Sequence, residues 1–186
     1  MTLDNISSTL FGRGLDRLRD KTLADDETVL WQGQPDPVNG MLALRVLWLI
    51  GLAWLTLTYL AHQRGWISGA AEPLALGGIG LKAGPFVKAL YDMQTLYAIT
   101  DRRAIILRTA WGKKSVYSSP FAIMDRKLDV LNVGGGAGHL NFRSGVSARL
   151  PDSDYNGHYG FRSIRDVENV RVILENASGN LRGKQQ

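Results

Sequence analysis

Residues 41–61 read MLALRVLWLIGLAWLTLTYLA, and Arg45 is their only charge. A helix rises ~1.5 Å per residue, so a run of this length covers the ~30 Å hydrocarbon core of a bilayer. Arg45 lies near the start, where its guanidinium can bend back to the headgroups while its methylenes stay in lipid. A core helix of a soluble protein would need protein on every side, because the run has no polar face. A secretory signal peptide fits worse: 40 residues of mostly polar sequence precede the run, and no small-residue cleavage site follows it. The run reads as a retained transmembrane helix.

A second apolar stretch, PLALGGIGLKAGPFVKAL at residues 73–90, is weaker. Lys82 sits in its middle, Lys88 near its end, and Pro85 removes a helical donor. Its glycines point to close helix packing: Gly80 and Gly84 form GxxxG, and Gly77 lies about one turn earlier. The expectation is a two-helix transmembrane hairpin over residues 41–90, packed through Gly77, Gly80 and Gly84. Lys82 then faces the bundle or a partner's carboxylate, or else the second segment is re-entrant or interfacial and does not cross. The connection at residues 62–72 holds one arginine, Arg64, whereas Arg13, Arg17, Arg19 and Lys21 precede the first span and Lys88, Arg102 and Arg103 follow the second. The positive-inside rule therefore predicts both termini in the cytoplasm. Trp48, Tyr59 and Trp66 suit aromatic anchoring at the two interfaces.

The 186 residues are 45% hydrophobic and 21% charged with a net charge of +5, which suits one domain plus an appended element and excludes a large multidomain enzyme. No cysteine is present, which excludes a disulfide framework, a thiolate zinc site, an iron–sulfur cluster and a cysteine nucleophile. A mean hydropathy of -0.10 averages the apolar block with a polar remainder.

Outward from the hairpin, residues 1–26 place Ile6, Leu10, Leu15 and Leu18 at helical spacing among Arg13, Arg17 and Arg19. They predict a segment that is either flexible, given Gly12 and Gly14, or an amphipathic helix on an anionic leaflet. Within residues 27–40, ETVLWQG reads as a strand that QPDP stops; a lone strand before a membrane span must find its partners beyond the hairpin. After residue 90 the texture is β, with strands expected at 94–100, 103–109, 113–118, 123–131 and 139–143. Thr100-Asp101-Arg102 makes a tight turn and the glycines at 134–138 a loop. Ser163 and Asp166 resemble a capping box, and Ile164, Val167, Val170, Ile173, Leu174 and Ala177 share one helical face. Residues 91–178 should thus form a mainly β domain with α, a small antiparallel sheet or barrel covered by a C-terminal helix, and residues 179–186 a tail.

The order of features resembles the bacterial pleckstrin-homology-like membrane proteins of the two-span type. The resemblance runs from about Glu27 to Ala177. It rests on the Leu30-Trp31-Gln32-Gly33 strand, the hairpin, the Tyr97-Ala98-Ile99-Thr100-Asp101-Arg102-Arg103 segment and the terminal helix introduced by Gly160-Phe161-Arg162-Ser163-Ile164. Trp31, Tyr97, Thr100 and Asp101 are its structural motif residues. It implies a split seven-strand sheet with a C-terminal helix at a bacterial inner membrane, and some relatives assist the assembly of membrane complexes, including photosynthetic ones.

Residues 91–186 carry 14 basic and nine acidic side chains. Arg102, Arg103, Arg108, Lys113 and Lys114 could form a basic face for anionic headgroups or an acidic partner. Against this, Asp101 can bond locally in its turn and an adjacent arginine can pair with a carboxylate. Asp152, Asp154 and Asn156, with Gly157, match the first half of a calcium loop, but the twelfth position is Ser163 instead of glutamate. A metal-dependent hydrolase built from Asp152, Asp154 and His158 is the one concrete enzymatic form, and no serine elbow, HExxH or P-loop accompanies it. No helix–turn–helix or zinc pattern supports nucleic-acid binding. The expectation is a non-enzymatic inner-membrane protein without cofactor. Its partners would be membrane lipids and another membrane protein or a second copy of itself, with an anionic-lipid-responsive module as the alternative.

Overall fold

The computed structural model describes residues 11–67, 69–134, 136–147 and 152–183, with the side chains up to residue 179. It forms two compact units: one holds the chain up to Asp36 and again from Asp92, the other is Pro37–Tyr91.

The first unit has mixed α and β content. Helix α1 (Gly12–Thr22) is followed by β1 (Val29–Gly33), and after the second unit come β2 (Thr95–Thr100), β3 (Arg103–Ala110) and β4 (Lys113–Pro120). A short 3-10 turn at Phe121–Ile123 leads to β5 (Asp129–Gly134), β6 (Ala137–Arg143), β7 (Tyr159–Arg165) and α5 (Val167–Gly183). The strands divide into two antiparallel sheets, β1-β2-β3-β4 and β5-β6-β7. The strand before the helical unit does find its partner beyond it: Trp31 pairs with Ile99 and Gln32 with Ala98, with a bulge after Val29.

β2 and β3 carry apolar residues on both faces because both faces are covered. On one side Tyr97, Ile99, Ala104 and Ile106 pack with Leu140, Phe142 and Phe161 of the smaller sheet and with Val167, Val170 and Leu174 of α5. Phe161 stacks on Tyr97 at 4.7 Å, meets Phe142 edge-on at 5.1 Å and lies 5.7 Å from Trp31, so aromatic contacts join the sheets. On the other side Leu96, Ala98, Ile105 and Leu107 are sealed by Leu15 of α1 with Phe11 and Leu18. The amphipathic N-terminal helix therefore spends its apolar face on the sheet instead of a leaflet; Ile6 and Leu10 lie outside the described residues. Trp31 also explains its glycine, since a Cβ on Gly33 would lie 2.5 Å from the indole.

Several strand and helix boundaries shift, β6 among them, which begins at Ala137 and not at 139. β5 begins at Asp129 and not at 123, because Pro120 leads into the 3-10 turn, and it runs through Gly134. Residues 159–165 form β7 instead of opening the helix. Ser163 lies in that strand and Asp166 after it, both left-handed (φ 50° and 52°), so the apparent capping box is a bulged strand end and α5 starts at Val167. The helix continues to Gly183, through most of the expected tail.

The second unit is helical: α2 (Pro37–Ala43), α3 (Arg45–Gln63) and α4 (Ala71–Met93), whose last two residues belong to the first unit. Among the described residues α3 alone is long and apolar enough to cross a membrane. α4 is longer but carries Glu72, Lys82 and Lys88 and has Pro85 inside it. Two helices therefore stand where the transmembrane hairpin is expected, and by length and composition one of them, α3, could cross a membrane.

Candidate functional site

The β2–β3 turn is a clasp. The Thr100 hydroxyl accepts from the backbone amides of Arg102 (3.2 Å) and Arg103 (3.0 Å) and donates to Glu27 Oε1 at 2.7 Å. Asp101 Oδ1 accepts from Thr28 N at 3.2 Å while Asp101 N donates to Thr28 O at 3.1 Å. Arg103 grips Glu27 with two bonds, Nε to Oε1 at 2.7 Å and Nη2 to Oε2 at 2.6 Å, and reaches the end of α1 at Thr22 O. Arg103 beside it, helped by Thr100, holds the buried Glu27 carboxyl down to about 2 against the cost of burial. Arg102 pairs with Asp26. The Thr-Asp-Arg-Arg segment thus locks β1 and α1 to the hairpin, and its arginines are not a free basic face.

Arg108 is also committed. Its side chain is buried, Nε donating to Thr95 Oγ1 at 2.9 Å and Nη2 to Asp152 Oδ2 at 2.7 Å. The other Asp152 oxygen accepts from the Tyr97 hydroxyl at 3.2 Å, and that hydroxyl accepts from Arg162 N. Burial, with the Asp152 charge beside it, raises the Tyr97 phenol well above its ordinary range, so it stays a donor. Arg162 closes the network on the carbonyls of Asp152 (2.9 Å) and His158 (2.7 Å).

The half-matched calcium loop is held together by its own bonds. Asp154 Oδ1 accepts from the amides of Asn156 (2.9 Å) and His158 (2.8 Å), and Oδ2 faces His158 Nδ1 at 3.1 Å. Burial pushes the Asp154 carboxyl up, but the His158 hydrogen bonds outweigh it and leave it lowered. With Asp152 on Arg108 and Tyr97, and Asp154 on its own loop, the carboxylates point at protein groups, and no cluster able to hold a metal occurs among the described residues. His158, Asp152 and Asp154 belong to a folded loop in which Asp152 is largely buried on Arg108 and Tyr97, while Asp154 stays partly exposed beside His158.

Of the five basic candidates, Lys113 and Lys114 remain exposed at the start of β4, and neither is in an ion pair among the described residues.

In the helical unit one of the three expected packing glycines, Gly84, makes a close contact, and the closest approaches fall at two glycines that were not expected. A Cβ on Gly78 would lie 2.7 Å from Leu55, and one on Gly51 would lie 2.7 Å from the Lys82 stem, which runs over that gap. Gly84 meets Leu47 at 3.2 Å, Gly77 only grazes Trp54 at 3.8 Å, and Gly80 has nothing within 4 Å. GxxxG spacing identifies a face, but the contact turns on Gly51 and Gly78. Two indoles complete it: Trp54 Nε1 donates to Leu74 O at 2.7 Å, and Trp48 Nε1 to Lys82 O at 3.0 Å, next to the point where Pro85 breaks the ladder. A single glycine opposite a lysine stem carries no motif, so spacing alone could not have singled out Gly51.

Comparison with models of known protein families, with curated proteins and with solved structures found no match.

Proposed function

We propose that the chain is a two-span protein of a bacterial inner membrane, with both termini cytoplasmic, whose sheet unit is a pleckstrin-homology-like domain. That domain serves as a binding or assembly module for another membrane protein and performs no catalysis. One observation carries the reading: the helical unit exposes large apolar side chains on both long helices, including Leu49 (67%), Leu57, Leu76 (67%), Ile79 and Phe86, far more than water tolerates on one small surface. The four-plus-three strand division closed by a C-terminal helix supports the domain assignment. Connectivity supports two crossings. β1 precedes the helices and β2 follows them in one sheet, so if α3 crosses the bilayer, the chain must return before Asp92.

The absence of catalysis rests on the polar candidates. Glu27, Arg103, Arg108, Asp152 and Asp154 are each held by neighbouring groups of the fold. Gly80, open on α4, marks a face that a partner helix can approach. Mild detergent extraction of tagged protein from its native membrane after in-cell crosslinking, followed by mass spectrometry, should recover a stoichiometric membrane-protein partner. Recovery of lipid alone would overturn the assembly role.

A further inference from the structure

The β3–β4 hairpin turns through two residues, Trp111 and Gly112, between the paired Ala110 and Lys113. Both turn residues are left-handed, φ 54° and 74°, the geometry of a type I′ turn. That position favours asparagine, aspartate or glycine, and a bulky aromatic residue there is a backbone outlier. Nothing within the fold compensates: Trp111 is 75% exposed and, among the described residues, makes no ring contact or side-chain hydrogen bond. A strained position carrying the largest apolar side chain, turned to the outside, needs an external reason.

Its location supplies one. Thr95 pairs with Arg108, and Thr109 N donates to Gln94 O at 2.9 Å, so β3 runs on past β2 toward the point where the chain leaves α4 at Met93. Trp111 follows Thr109 by two residues, which at ~3.3 Å per residue keeps the tip within about 7 Å of that level by strand pairing alone. Lys113 and Lys114, both exposed, follow directly. An indole followed by two lysines, a short way along the sheet from the residue at which the chain enters it, has the composition of a headgroup anchor: an apolar ring with one N–H donor, and cations for anionic lipids.

We propose that Trp111, with Lys113 and Lys114, anchors the sheet unit to the bilayer, the indole seated among the headgroups and the lysines on anionic lipid. This rests on the membrane placement of α3 and α4. It goes beyond the assembly role by assigning a lipid contact to a hairpin of the sheet unit.

The test uses full-length protein reconstituted in vesicles of phosphatidylcholine with phosphatidylglycerol, and Trp111→Asn. Asparagine suits the left-handed turn, so the variant should fold at least as well as the parent. Subtracting its emission from the parent's isolates Trp111 from the other four tryptophans. The expected difference signal is blue-shifted, quenched by brominated lipid and shielded from aqueous acrylamide, with weaker shielding in pure phosphatidylcholine or in Lys113→Gln/Lys114→Gln protein. A water-like signal from protein that floats with the vesicles would overturn the anchor alone. Protein that fails to float would overturn the membrane placement, and the anchor with it.

Discussion

Arg103 and Glu27 form a two-bonded ion pair across the chain's longest detour, joining the first residue after the β2–β3 turn to the approach to β1, with the helical unit between them in sequence. The carboxylate is nearly inaccessible, 1% exposed, and also accepts from Thr100 and from Ala24 N. Its role is to fasten the two halves of the sheet unit together.

Glu27→Gln should destabilise the sheet unit by about 2–3 kcal/mol, the scale of losing charge-assisted hydrogen bonds. The pH dependence follows from its low folded value of about 2 against an ordinary 4.5. As pH falls through 4.5, the unfolded chain takes up a proton that the folded chain refuses. The Glu27 contribution is therefore full above about 4.5 and lost as pH falls toward 2. Thermal unfolding from pH 2 to 7 should show the gap between parent and Glu27→Gln closing toward the acid end. A constant gap would contradict the assignment.

Arg108→Met should cost about 3–5 kcal/mol, because it leaves Asp152 buried without its cation. Arg108→Met combined with Asp152→Asn should recover at least half of that loss. A double variant no better than the single one would mean that the pair contributes through packing and not through charge.

Gly78→Leu and Gly80→Leu should separate internal packing from association. The first drives a side chain into Leu55 and Trp54 and should lower the melting temperature of the purified protein; the second enters open space and should leave it unchanged. Loss of a co-purifying partner from Gly80→Leu protein would then report on the outer face of α4. Equal melting losses in both variants would contradict the helix contact described here.

Calcium should not stabilise the protein. Melting curves in millimolar calcium and in chelator should coincide, since the side-chain oxygens of Asp152 and Asp154 are occupied by Arg108, Tyr97 and the loop's own amides. Asp154→Ala should nevertheless cost about 1–2 kcal/mol, through the amides of Asn156 and His158 that it strands.

The parts of this fold that could be read from the sequence are those where local chemistry and burial agree. The β2–β3 hairpin and β1 followed from apolar runs bounded by turn residues, but the turn's own amides bond to the Thr100 hydroxyl, and Asp101, expected to bond within the turn, accepts instead from Thr28 N ahead of β1. β7 was hidden because bulges at Gly138–Leu140 and Asn141–Arg143 break its register and because Ser163 and Asp166 imitate a helix cap. The docking of α1 was hidden for another reason. The face that receives it, Leu96, Ala98, Ile105 and Leu107, belongs to strands buried on both sides, where no alternation marks a second covered surface. The arginines read as a basic patch because sequence shows their charge but not Asp26, Glu27 and Asp152, which fold onto them from distant segments.

The pairing of Trp31 with Ile99 also sets an order of events during synthesis. β1 leaves the ribosome first and has to wait for β2 while the whole helical unit is made, on the order of several seconds at usual elongation rates. Under the proposed placement, a hairpin that crossed only once would strand β1 and β2 on opposite sides of the bilayer, and Glu27 could never meet Arg103. Completion of the sheet is then a proofreading step: a chain with the wrong number of crossings is left with open strand edges, the kind of surface that quality-control proteases and chaperones recognise.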